Sequence, residues 1–474
     1  MYFVRAVRDN ELIALVVWNK APIRFVAFAA FASRPRDIKR GRVMAEPLPA
    51  TTFINPAAKP PMTKAINSYH SIIGPKLAYI CSLNSRKVLE NKDYRLIVKT
   101  LYGLEEILSK ELLSLGGREI QKINRAVAVV GDLGFVYKIN IALRTGLRVL
   151  LPLNEIQMET VDDYYDAVYE VPWEELFDEG KTFAVHVVGT NEELNHSSFA
   201  GLKAKDAIVD RFRDKLGIRP SVDKYEPEVP IHIHISRDTV RIYLDTSGES
   251  LHRRGYRLEA AKAPLNEVLA AGIILHSSWN GGMPVLDPMC GSGTFLVEAA
   301  LIAHNMPANI YRESFAFFNW KGFEEDLFVK IREGLLSRAK DYEGKFFGRD
   351  IDVYSLDAAA ANIERSMFED AVRLKRADFF EADPPAEKGL LLINPPYNVR
   401  IQADTHQMYR QIGDTLKEKY AGWQVFWITS DMEAIKSIGL RPSRKWNLFN
   451  GELECKLLRF DMYEGTKKLH KLNR

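Results

Sequence analysis

Apolar and polar residues alternate with two different periods along this chain, and the places where the period changes divide it. From Tyr94, YRLIVKT alternates at every second residue as a half-buried strand does. LEEILSKELLSLGG then carries apolar residues at helical spacing and stops on Gly116-Gly117. A strand in AVAVVGD and a helix leading into LRTGLRVLLPL follow, which predicts a small α+β domain. KTFAVHVVGT opens a second unit as a strand, FAGLKAKDAIVDRFRDKLG is an amphipathic helix closing on Gly217, and IHIHISRDTVRIYLDTSG reads as a hairpin. A helix begins at about Leu265. Beyond it strands and helices alternate through PVLDPMCGSGTFLVEAALIA, KFFGRDIDVYSLDAAAANIERS, RADFFEA, GLLLINPPY and WQVFWIT. That alternation predicts an α/β fold, a mostly parallel sheet with helices on both faces.

The first 92 residues carry no sustained period and include the basic run RPRDIKRGR and the Pro/Ala/Thr-rich EPLPATTFINPAAKPPMTK. They hold fifteen Lys/Arg against five Asp/Glu, a balance of +10, so the chain's net +3 leaves −7 for residues 93–474. Residues 1–92 are therefore expected to be a basic, disordered extension, either a flexible arm or a stretch outside the mature protein. An organellar transit peptide is the minority reading. The acidic remainder has no global attraction for nucleic acid, so any such surface must be local.

A length of 474 residues predicts two to four domains, and 46% hydrophobic residues suffice for several cores. Cys81, Cys290 and Cys455 lie far apart with no metal-ligand spacing, which excludes a disulfide framework and a structural zinc and fits a reducing, cytoplasmic location. FVAFAAFA, from Phe25 to Ala32, is much shorter than the ~20 residues a membrane span needs. His232 and His234 share one face of a strand but have no third ligand near in sequence. They are expected to be exposed strand residues, and no metal is predicted.

VLDPMCGSGTFLVEAA carries the strongest chemistry. An apolar strand ends at Asp287, Gly291 and Gly293 allow close backbone approach, and a helix follows whose first amides face a ligand at the sheet edge. A dinucleotide loop would need GxGxxG, but position 296 is Leu, and the next strand-end acid, Asp350, is far beyond the usual spacing. No Gly-Lys-Ser/Thr follows, so a nucleoside triphosphate loop fails as well. What remains is a nucleoside-like ligand held without heavy phosphate contacts. Asp350 is placed to take both hydroxyls of a ribose, with Asp352 as its competitor, and Ile351 can lie against an adenine face. In KRADFFEAD, Asp378 can accept from an adenine amino group and Phe379 can stack on the ring.

DPMCGSGTF, GRDID, ADFF and NPPY, in this order, resemble the motifs of class I S-adenosylmethionine-dependent methyltransferases that act on amino groups. The segments GTNEELNHSSFAGLKAKDAIVDRFRDKLGIRPSVD, SLHRRGYR and APLNEVLAA resemble the THUMP-domain RNA methyltransferases, in particular the bacterial 23S rRNA guanine-N2 enzymes. The resemblance covers about residues 94–465. It implies a ferredoxin-like segment over 93–158, a THUMP RNA-binding domain over 159–247, and a Rossmann-like methyltransferase domain over 248–474 with a seven-stranded sheet containing one antiparallel strand. It also implies S-adenosylmethionine as cofactor, held by Asp287, Pro288, Cys290, Gly291, Gly293, Thr294, Asp350, Ile351, Asp378 and Phe379. RNA, 23S rRNA in particular, is the implied partner, with Lys203, Lys205, Arg211, Arg253, Arg254 and Arg257 as phosphate contacts.

The motif INPPY suits amino methylation. An exocyclic amine on a base is a poor nucleophile because its lone pair is delocalised into the ring. Two acceptors, the Asn394 side-chain carbonyl and the Pro395 backbone carbonyl, would localise that pair toward the methyl donor. Pro395 and Pro396 fix φ and remove donors, and Tyr397 would stack on the target base. Relatives usually continue with Gly-Glu-Arg, where Asn398-Val399-Arg400 stands here, so base preference stays open. A tRNA guanine-N2 enzyme, a DNA adenine-N6 enzyme and a non-catalytic RNA-binding assembly factor are the alternatives.

Overall fold

Residues 17–20, 23–26, 93–257, 265–395 and 402–464 are described in the structure, a computed structural model. Near the start, β1 (Val17–Lys20) and β2 (Ile23–Val26) pair antiparallel, with Val17 opposite Val26. The sequence predicts no strand there. The rest of the basic stretch 1–92, and with it the expected disorder, lies outside the described residues.

From Tyr94 the elements run β3 (Tyr94–Lys99), α1 (Glu105–Ser114), β4 (Arg118–Ile123), β5 (Ala126–Gly131), α2 (Leu133–Ala142) and β6 (Arg148–Gln157). Next come α3 (Val161–Tyr169), α4 (Trp173–Leu176), β7 (Thr182–Val188), α5 (Ser197–Leu216), β8 (Ser221–Val222), β9 (Val229–Ser236) and β10 (Thr239–Asp245). The two regions that the sequence separates share a single eight-stranded sheet, in the order β4-β5-β3-β6-β10-β9-β7-β8. The seam is antiparallel pairing of β6 with β10, from Thr239 opposite Gln157 to Asp245 opposite Leu150. Alternate strand residues such as Leu96, Val98, Val127, Val129, Ile231, Ile233 and Val240 point into one core with Leu108, Phe135, Tyr164 and Phe212 from the helices. Thr160 and Asp163 close a capping box on α3, and Gly217 ends α5 in the left-handed conformation.

The second sheet is built from β11 (Val285–Asp287), β12 (Phe346–Asp350), β13 (Val372–Arg376), β14 (Leu390–Ile393), β15 (Gln424–Thr429), β16 (Arg444–Asn450) and β17 (Leu453–Asp461). Its helices are α6 (Glu267–His276), α7 (Thr294–Ala303), α8 (Glu325–Leu336), α9 (Val353–Arg365) and α10 (Gln402–Lys419). The strand order is β13-β12-β11-β14-β15-β17-β16, with β17 antiparallel to both neighbours and the rest running one way, as the resemblance implies. Every residue of β14, LLLI, is buried, the pattern of a parallel strand covered on both faces.

The stretch between α7 and α8 leaves this sheet for the other core. Phe315, Phe317 and Trp320 are buried among the residues of the first sheet, with the Phe317 ring 4.7 Å from that of Tyr137 in α2. The Glu324 amide donates to the Tyr137 hydroxyl at 3.0 Å, and the Asn309 side-chain amide donates to the carbonyls of Asn140 and Leu143.

Candidate active site

In the middle of the second sheet β11 stops at Asp287, with β12 on one side and β14 on the other. Connections diverge at such a point and leave a crevice at the carboxyl edge. The loop from Pro288 to Gly293 is shaped by backbone geometry. Gly291 has φ +52° and Gly293 φ +78°, and a Cβ on Gly293 would come within 3.3 Å of Ala359 in α9. The Cys290 amide donates to Arg349 O and its carbonyl accepts from Gly293 N, while its side chain is buried, so Cys290 serves through its backbone. Burial, reinforced by Asp287 and Asp350, pushes its thiol well above the ordinary value, which makes it a poor nucleophile. Helix α7 begins after Gly293 with no side chain capping it, which leaves its first amides for a ligand.

Two carboxyls flank this loop. Asp350 accepts from the Gly291 amide at 2.9 Å through Oδ2 and from the Asp352 amide at 3.0 Å through Oδ1. Asp352 caps α9 through Ser355, so it is committed to the helix and Asp350 is the acid that faces the glycine loop. Asp287 is 2% exposed, and its carboxyl is pushed well above the ordinary value, mainly by burial and further by the charge of Asp350. Beside Asp350, Ile351 stands 61% exposed, an apolar side chain with no cover of its own. A nucleoside with a cationic tail fits this cradle. Hydroxyls can use the remaining lone pairs of Asp350, a flat ring can cover Ile351, and a positive group relieves the crowded carboxyls.

Asp378 lies past the end of β13 and accepts from Phe380 N at 2.8 Å through Oδ1. Phe379 is 3% exposed with its ring 5.6 Å from that of Tyr420, just after α10, so that ring is turned into the core and Phe380 is the more open of the two. Asn394 and Pro395 follow β14, which pairs with β11, so they reach the same sheet edge as Asp287. Pro396 and Tyr397, like Asn398, Val399 and Arg400, lie outside the described residues.

The six basic residues expected on RNA separate into two groups. Arg254 is fully buried and donates to Glu298 and to the carbonyls of Leu143, Arg144 and Leu251, so it cannot meet a phosphate. Arg211 holds Glu174 through two nitrogens, and both side chains are largely covered. Arg257 donates to Glu267 at 2.7 Å, to the Ser292 hydroxyl at 3.1 Å and to the Thr294 hydroxyl at 3.0 Å. It is a clamp on the glycine loop. Lys203 lies over the Tyr165 ring, Lys205 pairs with Asp206, and Arg253 pairs with Glu249 at an exposed position.

Sequence reasoning missed Asn362, whose side-chain amide donates to Ser292 O at 3.0 Å from a fully buried position on α9. The signal was present, because Asn362 shares the apolar face of α9 with Ala358, Ala359 and Ile363. His232 is half-buried, contrary to the expected exposure; its ring bonds Asp245 Oδ2 at 3.1 Å and stacks on His186. Among the described residues no group of three His, Cys, Asp or Glu could hold a metal ion, and no helix is long and apolar enough to cross a membrane.

Three family models match successive stretches. They are the RlmL ferredoxin-like domain over residues 95–150, the THUMP domain over 159–245 and the RMKL-like methyltransferase domain over 254–459. A Synechocystis protein assigned as an RNA methyltransferase is 35% identical over 364 residues, which cover 76% of this chain and 95% of that protein. The chain belongs to the THUMP-containing, RMKL-like methyltransferases. The ribosomal RNA large subunit methyltransferase K/L of a Marinomonas strain is 36% identical across 79% of this chain, which spans about half (54%) of that longer relative. Among solved members of the fold, a protein assigned as a methyltransferase and crystallised with S-adenosylhomocysteine is 30% identical, with a TM-score of 0.71 over 79% of this chain and 100% of its own. In this methyltransferase the clamp of Arg257 and Asn362 on Ser292 joins the segment ahead of the catalytic sheet to the loop that shapes the crevice.

Proposed function

We propose that this protein is an RNA methyltransferase that uses S-adenosylmethionine to methylate the N2 amine of a guanine in 23S rRNA. The observation that carries the reading is the meeting, at one sheet edge, of the Asp287–Asp350 cradle with Asn394 and Pro395 on the neighbouring strand. The methyl group on the cofactor's positively charged sulfur is what the bound molecule supplies. Asp350 holds the ribose hydroxyls, Ile351 covers one adenine face, Asp378 takes the adenine amino group and Asp287 faces the cationic end.

The Asn394 carbonyl and the Pro395 carbonyl accept the two hydrogens of the target amine, which draws the nitrogen toward a pyramidal geometry and localises its lone pair toward the methyl donor. Pro395 has no N–H and a fixed φ, so these acceptors are set before the base arrives. Tyr397 holds the base once it has left its stack. No strong base is required, because the amine becomes acidic as it is alkylated, and alignment supplies much of the acceleration. RNA as the substrate is supported by the THUMP match, and 23S rRNA by the relative named for the large subunit.

The test is to incubate the full chain with unmodified 23S rRNA transcript and labelled S-adenosylmethionine, then identify the product nucleoside by mass spectrometry. N2-methylguanosine is expected; N6-methyladenosine, or label entering tRNA alone, would overturn the substrate assignment. Asn394→Ala should lower kcat about 10²–10³-fold while the cofactor Kd moves less than about twofold. RNA binding without cofactor binding would instead indicate an assembly factor.

A further inference from the structure

A cleft of about 770 Å³ opens beside the glycine loop. Its walls come from residues 249–257, residues 265–267 at the start of α6, residues 311–314, the last residue of α9 and the turn between β16 and β17. Five arginines line it (Arg253, Arg254, Arg257, Arg312 and Arg365) against Glu249, Glu267 and Glu313.

The partners of these arginines decide how much charge is left. Arg254 is answered by Glu298 and Arg257 by Glu267. Among the described residues Arg253 is answered by Glu249, across a pair 67% and 62% exposed, which water and salt weaken. Among the described residues Arg312 donates to carbonyls, those of Ser247, Glu249, Ser250, Arg253 and Ser314, and Arg365 donates to Gly255 O. Carbonyls take some of the guanidinium hydrogens, with Arg312 Nε left without a partner among the described residues, and they leave the charge. With Glu313 and the Arg254 partner Glu298 counted, the described residues of the cleft keep a net charge of +1 in a body that is net negative. His252, within it, is held below the ordinary value by burial and, against the pull of Glu267, by Arg253, Arg254 and Arg257.

The arginines gather beside the loop that shapes the crevice. Arg257 donates to the Ser292 hydroxyl, Arg365 donates to Gly255 O two residues before Arg257, and Asn362, one turn before Arg365, donates to Ser292 O. A base that enters the crevice brings its flanking phosphates with it, and a basic cleft beside the loop is placed to meet them.

We propose that this cleft takes the sugar–phosphate backbone of the RNA substrate, with Arg253 and Arg365 meeting phosphates and directing the strand toward the glycine loop. The proposal rests on the reading of the substrate as RNA and adds where that RNA lies.

Filter binding of the full chain to unmodified 23S rRNA transcript, across a salt series, tests it. Arg365→Glu and Arg253→Glu should each weaken binding about tenfold and reduce the salt slope by about one, while calorimetry gives an unchanged S-adenosylmethionine Kd. Arg365→Gln keeps a donor for Gly255 O and should show the same loss of slope without loss of thermal stability. Lys436→Glu, a reversal at an exposed site elsewhere, should bind as the parent does. Unchanged affinity and slope in the arginine variants, or equal weakening by Lys436→Glu, overturns the cleft and leaves the RNA reading standing. A parent that binds no RNA overturns both.

Discussion

At the scale of single residues, the carboxyl of Asp287 is the most informative group. It sits at the end of a central strand with its oxygens shut away from water, beside a second acid, so its neutral form is favoured. The folded protein binds this proton more tightly than the unfolded chain. Its contribution to stability is thus fully present at low pH and is lost as pH rises from the unfolded value toward the raised folded one. Asp287→Asn should raise the ligand-free Tm at neutral pH, by about 2–4 °C for each ~1 kcal/mol relieved, with the gain vanishing below about pH 4. The same variant should bind S-adenosylmethionine more weakly; calorimetry and thermal melts across pH check both. Asp287 and Asp350 were legible as strand-end acids beside the glycine loop, because their positions after apolar runs mark the ends of β11 and β12. The three arginines of HRRGYR were not, because a linear motif gives Arg253, Arg254 and Arg257 the same character. Only the fold sends one to solvent, one to Glu298 and one to the glycine loop.

Among the elements, β12 is held so close to its neighbours that its middle residue has no room for a side chain. A Cβ on Gly348 would overlap Leu296 of α7 and lie 2.6 Å from Leu374 of β13. Gly348→Ala should cost about 1–3 kcal/mol and, by displacing α7, weaken cofactor binding in step. Denaturant melts and calorimetry on the same samples would show the two losses together, and a stability loss with intact cofactor affinity would refute the link. The buried parallel strands were readable as apolar runs, and the amphipathic helices as period-3.6 stripes. β4 and β16 were not, since their burial shows no clean alternation: an edge strand is held largely by backbone pairing, which leaves little mark on side-chain choice. The aromatic run FAFFNW was equally silent, because the core it enters belongs to the other sheet.

At the scale of the whole molecule, a buried ion pair ties the segment after β10 to α7 of the second sheet. Arg254 and Glu298 are both fully buried, with the Tyr256 hydroxyl also donating to Glu298. Burial raises the Glu298 carboxyl and Arg254 draws it back down, so removing the arginine alone leaves an uncompensated acid. Arg254→Met should cost about 3–5 kcal/mol, and Arg254→Met with Glu298→Leu should recover most of it, as a double-mutant cycle of unfolding free energies would record. The order of strands and helices was legible from the changes of period, but the fusion of the first two regions into one sheet was not. The seam runs through the pairing of β6 with β10, strands about 80 residues apart whose individual patterns are those of any hairpin partner.

That seam also limits how the protein can be divided. A fragment cut at residues 159–245 would keep β7, β9 and β10 but lose β6, leaving the full length of β10 as a bare row of backbone donors and acceptors beside apolar side chains that β6 and its helices cover in the intact chain. Such an edge is a template for a second copy of itself, so the isolated THUMP module would be prone to self-association through β10.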